Sequence, residues 1–170
     1  MKKHAIIMLG LFIVLGGCKT MSVSYSFSGI NIDPAIKTIS VEYFPNRAPV
    51  VQAQLSQYFT DALIDKIQSN TSLELVPGAG DISFSGEIKD YSTKPTAITG
   101  EETAAMNRLT IKINVVYVNN FNMEESFEST FSRYEDYDSS KDLADVEDEL
   151  MELIIEDILE DIFNKAFVNW

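Results

Sequence analysis

The chain of 170 residues contains one cysteine, Cys18, and one histidine, His4. A single cysteine forms no intramolecular disulfide, and one cysteine with one histidine cannot supply the usual nitrogen and sulfur ligands of a zinc site. His4 stands beside Lys2 and Lys3 ahead of an apolar run, so no Cys–His or Ser–His–Asp arrangement is available for nucleophilic catalysis. Cations are scarce as well: 13 Lys and Arg face 26 Asp and Glu, a formal charge of −13. That balance disfavours nucleic acid, whose binding rests on neutralised phosphates. It equally disfavours docking onto anionic headgroups by charge alone. Long apolar runs are missing too. The stretch Ala5–Leu15 has 11 residues, against roughly 20 for a membrane-spanning helix.

What is present begins in those first residues. A positive stub, a short apolar core and then Gly16 and Gly17 before Cys18 are the layout of a secretory signal peptide. Leu15-Gly16-Gly17-Cys18 resembles the bacterial lipobox, in which the cysteine thiol is acylated and the peptide is cut just before it. The expected organisation is a signal peptide over 1–17, a lipidated tether and first extended segment over 18–30, and a single α+β domain over 31–170. Cleavage would leave 170 − 17 = 153 residues and a charge of (13 − 2) − 26 = −15. Membrane attachment then falls to the acyl chains on Cys18, palmitate among them. One chain binds marginally, and two or more anchor stably. Lys19 follows the cysteine where Asp would signal inner-membrane retention, a pattern that resembles sorting to the outer membrane.

Periodicity supplies the elements. "KTISVEYF" places Ile39, Val41 and Tyr43 on one face, a strand. Val51 to Ser69 carries Val51, Leu55, Phe59, Leu63 and Ile67 at helical spacing. Leu73–Val76 reads as a short strand, and Ile82, Phe84, Gly86 and Ile88 share the next strand's face. "GAG" at 78–80 lacks the third glycine, the lysine and the helix of a phosphate loop. "STKPTAITGEETAA", broken by Pro95 and Gly100, reads as a loop over 91–105. "NRLTIKINVVYV" buries Leu109, Ile111, Ile113, Val115 and Tyr117 and exposes the residues between them. "EESFESTFSRY" returns with Phe127 and Phe131. The second helix is expected to start with Ser139 as N-cap and Asp142 three residues on. Its apolar rows run through Leu150, Ile154 and Ile158, and through Met151, Ile155 and Leu159. The order β-α-β-β-β-α predicts an α+β two-layer sandwich: a mostly antiparallel four-stranded sheet covered on one face by two amphipathic helices.

Candidate chemistry is sparse. Asp136, Asp138 and Asp142 cluster, but D-x-D-x-x-x-D lacks the glycine and closing Glu of a calcium loop, and acids suit a helix start without metal. No metal site and no cofactor are expected. Glu101-Glu102 and Glu124-Glu125 have no partner base, so no catalytic residues are assigned and the protein reads as a non-enzyme. The informative feature is the placement of Lys89, Lys94, Arg108 and Lys112. Arg108 and Lys112 share the polar face of one strand, and Lys89 and Lys94 flank the end of another. Paired strands would gather these four as a ligand-binding patch for phosphates or carboxylates, on the open sheet face or at its edge.

The pieces "YFPNRAPVVQAQLSQYFTDALIDKIQSNTSLELV", "DISFSGEIKDYS", "ETAAMNRLTI", "FSRYEDYDSS" and "DIFNKAFVNW" together resemble the LptE family of lipopolysaccharide-assembly lipoproteins, from about Tyr25 to Trp170. The resemblance implies an outer-membrane lipoprotein, facing the periplasm, lipidated at the position of Cys18, with an α+β sandwich fold. It implies a heterodimer with the β-barrel protein LptD, as a plug and assembly partner that supports lipopolysaccharide delivery to the outer leaflet, and it makes lipopolysaccharide itself a candidate ligand. A lipid carrier binding an acyl ligand between helices and sheet is the alternative, and a hydrolase using surface carboxylates a third reading. The lipidation expectation has a narrow test. In radiolabelled cells Cys18→Ser should accumulate uncleaved precursor and incorporate no labelled lipid, while the domain still folds.

Overall fold

A computed structural model describes residues 29–97 and 105–168. The expected signal peptide and tether over residues 1–28, Cys18 among them, and the 98–104 part of the expected 91–105 loop, with Glu101-Glu102, lie outside the described residues. The elements are β1 (Thr38–Val41), α1 (Leu55–Asn70), β2 (Glu74–Leu75), β3 (Ile82–Ala97), β4 (Ala105–Asn119), a 3-10 turn (Met123–Glu125), β5 (Phe127–Asp138) and α2 (Leu143–Phe167). They form an α+β two-layer fold whose sheet has five strands in the order β2-β1-β3-β4-β5.

The expected four-stranded antiparallel sheet is corrected in two respects. β1 runs parallel to both β2 and β3, while β3–β4 and β4–β5 are antiparallel. The cause is α1: a helical crossover between β1 and β2 returns the chain in the same direction. Alternation in a sequence reports which face is buried, not which way a neighbour runs. The strand count rises to five because β2, only two residues long, pairs with the edge of β1.

The 91–105 stretch is also not a loop throughout. β3 continues to Ala97 and β4 begins at Ala105, with Pro95 opposite Asn107. Proline removes a ladder donor, yet the pairing runs past it. α1 starts at Leu55, and Val51 is 65% exposed outside it. Gln52 sets that start, its side-chain oxygen accepting from the amides of Gln54 at 2.7 Å and Leu55 at 2.8 Å. Ser139 is not the N-cap of α2. Its amide donates to the Ala105 carbonyl at 3.0 Å, so the chain is still bound to the sheet there, and Asp142 takes the N-cap position.

One apolar layer fills the space between helices and sheet. Ile39, Phe44, Phe59, Phe84, Ile111 and Ile158 have no exposed surface. Gly86 makes room in this layer. A Cβ there would lie 2.0 Å from the Asn114 carbonyl oxygen and 2.7 Å from the Phe44 ring, on a backbone with φ +154°. Phe44 occupies the hole and meets Phe59 of α1 edge-on, with centroids 4.9 Å apart. The Phe44 amide donates to the buried Thr60 hydroxyl oxygen, 3.2 Å away on α1, and that hydroxyl donates to the Ser56 carbonyl at 2.7 Å. At the start of the sheet Asp81 accepts from the amides of Lys37 and Thr38 at 2.8 and 2.9 Å. Those backbone bonds hold its carboxyl below the usual carboxylate range.

α2 is clipped to β5. Arg133 reaches Asp161 at 2.6 Å, and the Lys165 ammonium donates to the Ser129 hydroxyl at 2.6 Å while lying 4.8 Å above the Phe127 ring. The chain enters at this corner. The Asn31 amide donates to the Phe167 carbonyl at 2.8 Å, and Gly29 before it has φ +65°.

Because backbone and ring both close the space over Gly86, Gly86→Ala should lower the unfolding free energy by roughly 3 kcal/mol. Combined with Phe44→Ala, the loss should be smaller than the sum of the two, since the ring no longer contests the space. Urea denaturation of the four proteins of the cycle measures this.

Candidate functional site on the open sheet face

The outward residues of β3, β4 and β5 form the candidate surface, and a β-bulge decides which they are. Ile88 faces Ile113, but Asp90 faces Lys112, leaving Lys89 unopposed. One extra residue in a strand reverses the inside–outside phase beyond it. Ile82, Phe84 and Ile88 are buried, all even-numbered, whereas afterwards Tyr91 is buried and its hydroxyl bonds to Glu147 of α2. The bulge therefore turns Asp90 and Lys94 outward and sets Lys94 directly opposite Arg108.

All four sequence-selected cations meet this face, but as an interleaved set and not as a bare basic patch. Arg108 grips Asp136 of β5 with Nε–Oδ1 and Nη2–Oδ2 contacts of 2.7 and 2.8 Å. Its guanidinium carbon lies 3.6 Å from the centre of the Tyr134 ring, a stacked cation–π arrangement. Lys112 lies 3.7 Å from Asp90, and Lys89 pairs with Glu87. Among the described residues Lys94 has no carboxylate within 4.0 Å. The hydrogen bond from Arg108 holds the Asp136 carboxyl below its ordinary range, and that from Lys89 does the same for Glu87.

Chemically, the arrangement can offer a fixed guanidinium edge to an anion. Of the five guanidinium donors, Asp136 uses two. The guanidinium carbon lies over the Tyr134 ring, itself 51% exposed, and Lys94 stands opposite Arg108 on the neighbouring strand. Arg favours planar, two-point contact with phosphate or carboxylate. Sequence reading missed Tyr134 and Asp136 as partners of Arg108. The signal was present, since Thr130, Ser132, Tyr134 and Asp136 share one parity on β5, but Asp136 reads in sequence as one of a trio with Asp138 and Asp142, weighed as calcium ligands or helix-start acids.

Three of the acidic candidates, Asp136, Asp138 and Glu125, have local structural partners. Asp136 belongs to Arg108, and Asp138 accepts from the Ser140 amide at 2.8 Å. Glu125 accepts from the side-chain amides of Asn119 and Asn122. Among the described residues no group of three His, Cys, Asp or Glu is placed to hold a metal ion. A groove of about 530 Å³ runs between the helices over Ile155 and Leu159. Among its lining residues Asp61, Asp65, Glu152 and Glu156 outnumber the one cation, Lys66.

The family described as LptE, lipopolysaccharide-assembly, matches residues 36–166. No curated protein sequence matches. A hypothetical protein from Chlamydia trachomatis superposes with a TM-score of 0.50 at 8% identity, over 79% of this chain and 99% of that one, and shares the fold. Rare lipoprotein B from Shewanella oneidensis superposes with a TM-score of 0.45 at 10% identity, over 76% of this chain and 90% of that one. A minor lipoprotein from Acinetobacter baumannii gives 0.41 at 15% identity, over 78% and 94%.

The Arg108–Asp136 pair makes a signed prediction. A carboxyl lowered in the folded state stabilises above the unfolded value and loses that contribution as pH falls through the folded one. In Arg108→Ala the Asp136 carboxyl should titrate higher, near the ordinary aspartate range, and the Tyr134 ring resonances should shift. Side-chain carboxyl NMR across an acid titration reads both.

Proposed function

We propose a function from one premise: the chain belongs to the LptE family of lipopolysaccharide-assembly proteins. Membership gives it a part in lipopolysaccharide assembly. Within that part, it acts as a non-enzymatic lipoprotein held in the outer membrane by acylated Cys18 and facing the periplasm. There it pairs with the β-barrel protein LptD, plugs the lumen and assists the barrel's assembly. The observation that carries this reading is the family match over 36–166.

The surface supports it. A large barrel has a polar interior, and the outward face of β4 and β5 presents Thr110, Asn114, Thr130 and Ser132 with paired charges among them. No helix among the described residues is long and apolar enough to cross a membrane. Arg108 and Lys94, with Lys112 and Lys89 behind them, form the contact for a lipid phosphate passing the plug. The carrier alternative needs an acyl chain between helices and sheet. That space is taken by Phe44, Phe59, Phe84 and their neighbours, which have no exposed surface, so a ligand would have to displace core.

Affinity purification from detergent-solubilised outer membrane should bring down a barrel of LptD size, and depletion should lower surface lipopolysaccharide. Purification as a lone lipoprotein, with unchanged surface lipopolysaccharide after depletion, would refute the proposal.

A further inference from the structure

The turn that joins β4 to β5 is braced from within and apolar at its tip. Asn119, buried at the end of β4, directs it. The Asn119 side-chain oxygen accepts from the amides of Phe121 and Asn122 at 2.9 and 3.0 Å, and its side-chain nitrogen donates to the Glu125 carboxylate at 2.8 Å. Asn122 caps the 3-10 turn, accepting from the Glu124 amide at 3.2 Å and donating to the same Glu125 carboxylate at 2.9 Å. Asn120 ties the turn back to the sheet through the Gly80 and Asp81 carbonyls. The backbone fixed in this way holds Phe121 55% exposed and Met123 65% exposed. Neither belongs to the apolar layer beneath the helices. Turn tips are ordinarily built from small polar residues, and a preformed tip carrying two large apolar side chains suits binding.

The place of this turn says what it meets. The described chain begins at Gly29, and Asn31 bonds to Phe167 and lines the same surface depression as Glu124 and Ser126 of the turn. The chain therefore enters the domain beside the tip. Residues 18–28 lie ahead of it, a length that spans at most about 40 Å. β4 alone has 15 residues, about 50 Å of strand. An anchor at Cys18 thus keeps the tip within reach of a membrane surface, whereas the Ala105 end of the sheet can stand well beyond it. A polar barrel lumen suits the threonines, serines and asparagines of the open face, but not an exposed Phe and Met.

We propose that Phe121 and Met123 make a second membrane contact, entering the headgroup region of a neutral phospholipid leaflet beside the anchor. This rests on the reading of Cys18 as acylated. Neutral lipid is the match because Glu124 stands exposed between Met123 and Glu125, and a carboxylate disfavours anionic headgroups. Two side chains alone would hold lipid weakly. On a chain that is already anchored the contact is intramolecular and needs little affinity of its own. Its effect is orientation: the sheet stands on this end, and Arg108, 119 − 108 = 11 residues along β4 from Asn119, is carried about 35 Å from the tip.

The test uses the chain as recovered from cells, whose mass first reports whether Cys18 is acylated. Acylated protein is placed directly in phosphatidylcholine vesicles. Unacylated protein would refute the reading of Cys18 and not the tip contact, and it is coupled through the Cys18 thiol to a maleimide lipid in the same vesicles. Each protein carries Trp170→Phe and one new tryptophan, from Phe121→Trp at the tip or Thr110→Trp on the open face. Phospholipids brominated near the headgroup should quench Phe121→Trp about threefold or more over Thr110→Trp. Adding Met123→Asp should return the quenching to the Thr110→Trp level while the circular dichroism spectrum stays unchanged. Equal quenching of the two single-tryptophan proteins would overturn the proposal. So would shielding of Phe121→Trp that arises only when the barrel is added and comes without lipid quenching, since the tip would then belong to a protein pocket.

Discussion

The fold depends on a missing side chain. Gly86 leaves a gap in the inner surface of β3, and Phe44 fills it from the chain that leaves β1. Phe44 in turn receives Phe59, and its amide is held by Thr60. Three segments far apart in sequence are thereby fixed at one point: the parallel entry strand, the crossover helix and the long antiparallel hairpin. Because α1 is positioned here, β1 and β2 must run parallel, and because β3 is fixed here, β4 and β5 build outward from it.

The buried half of this design was legible in the residues. Leu109 to Tyr117 alternate cleanly, and the α2 apolar rows, Leu150 through Ile162 and Met151 through Leu159, are the ones that pack. Strand direction was not legible, because a pleat's period is the same whichever way its neighbour runs. The hairpin end was misread because proline and glycine in "STKPTAITG" signal a break, whereas pairing continues past Pro95 on cross-strand bonds made with β4. Ser139 carried a capping pattern, but the sheet had already taken its amide.

For the candidate site, residue selection was easier than residue environment. Arg108 and Lys112 stand out as cations on an otherwise acidic chain, and the sheet does bring them to one face with Lys94 and Lys89. The carboxylates between them, and the aromatic ring beneath Arg108, depend on strand register, which one sequence does not print. The result is a set of positive groups held in place by negative neighbours, three ion pairs interleaved on one face of a protein of net charge −13.

The bulge at Lys89 has a consequence for how the gene can vary. Lys89 is the residue the ladder does not use, since Ile88 faces Ile113 and Asp90 faces Lys112. Losing that one codon would leave a regular ladder with each later residue on its present side, Tyr91 toward the helices and Lys94 opposite Arg108. Losing a single codon further along, that of Ser92 for example, would turn every residue beyond it to the other side of the sheet. A lost codon is thus absorbed where the strand carries one residue more than its partner, and felt elsewhere along it.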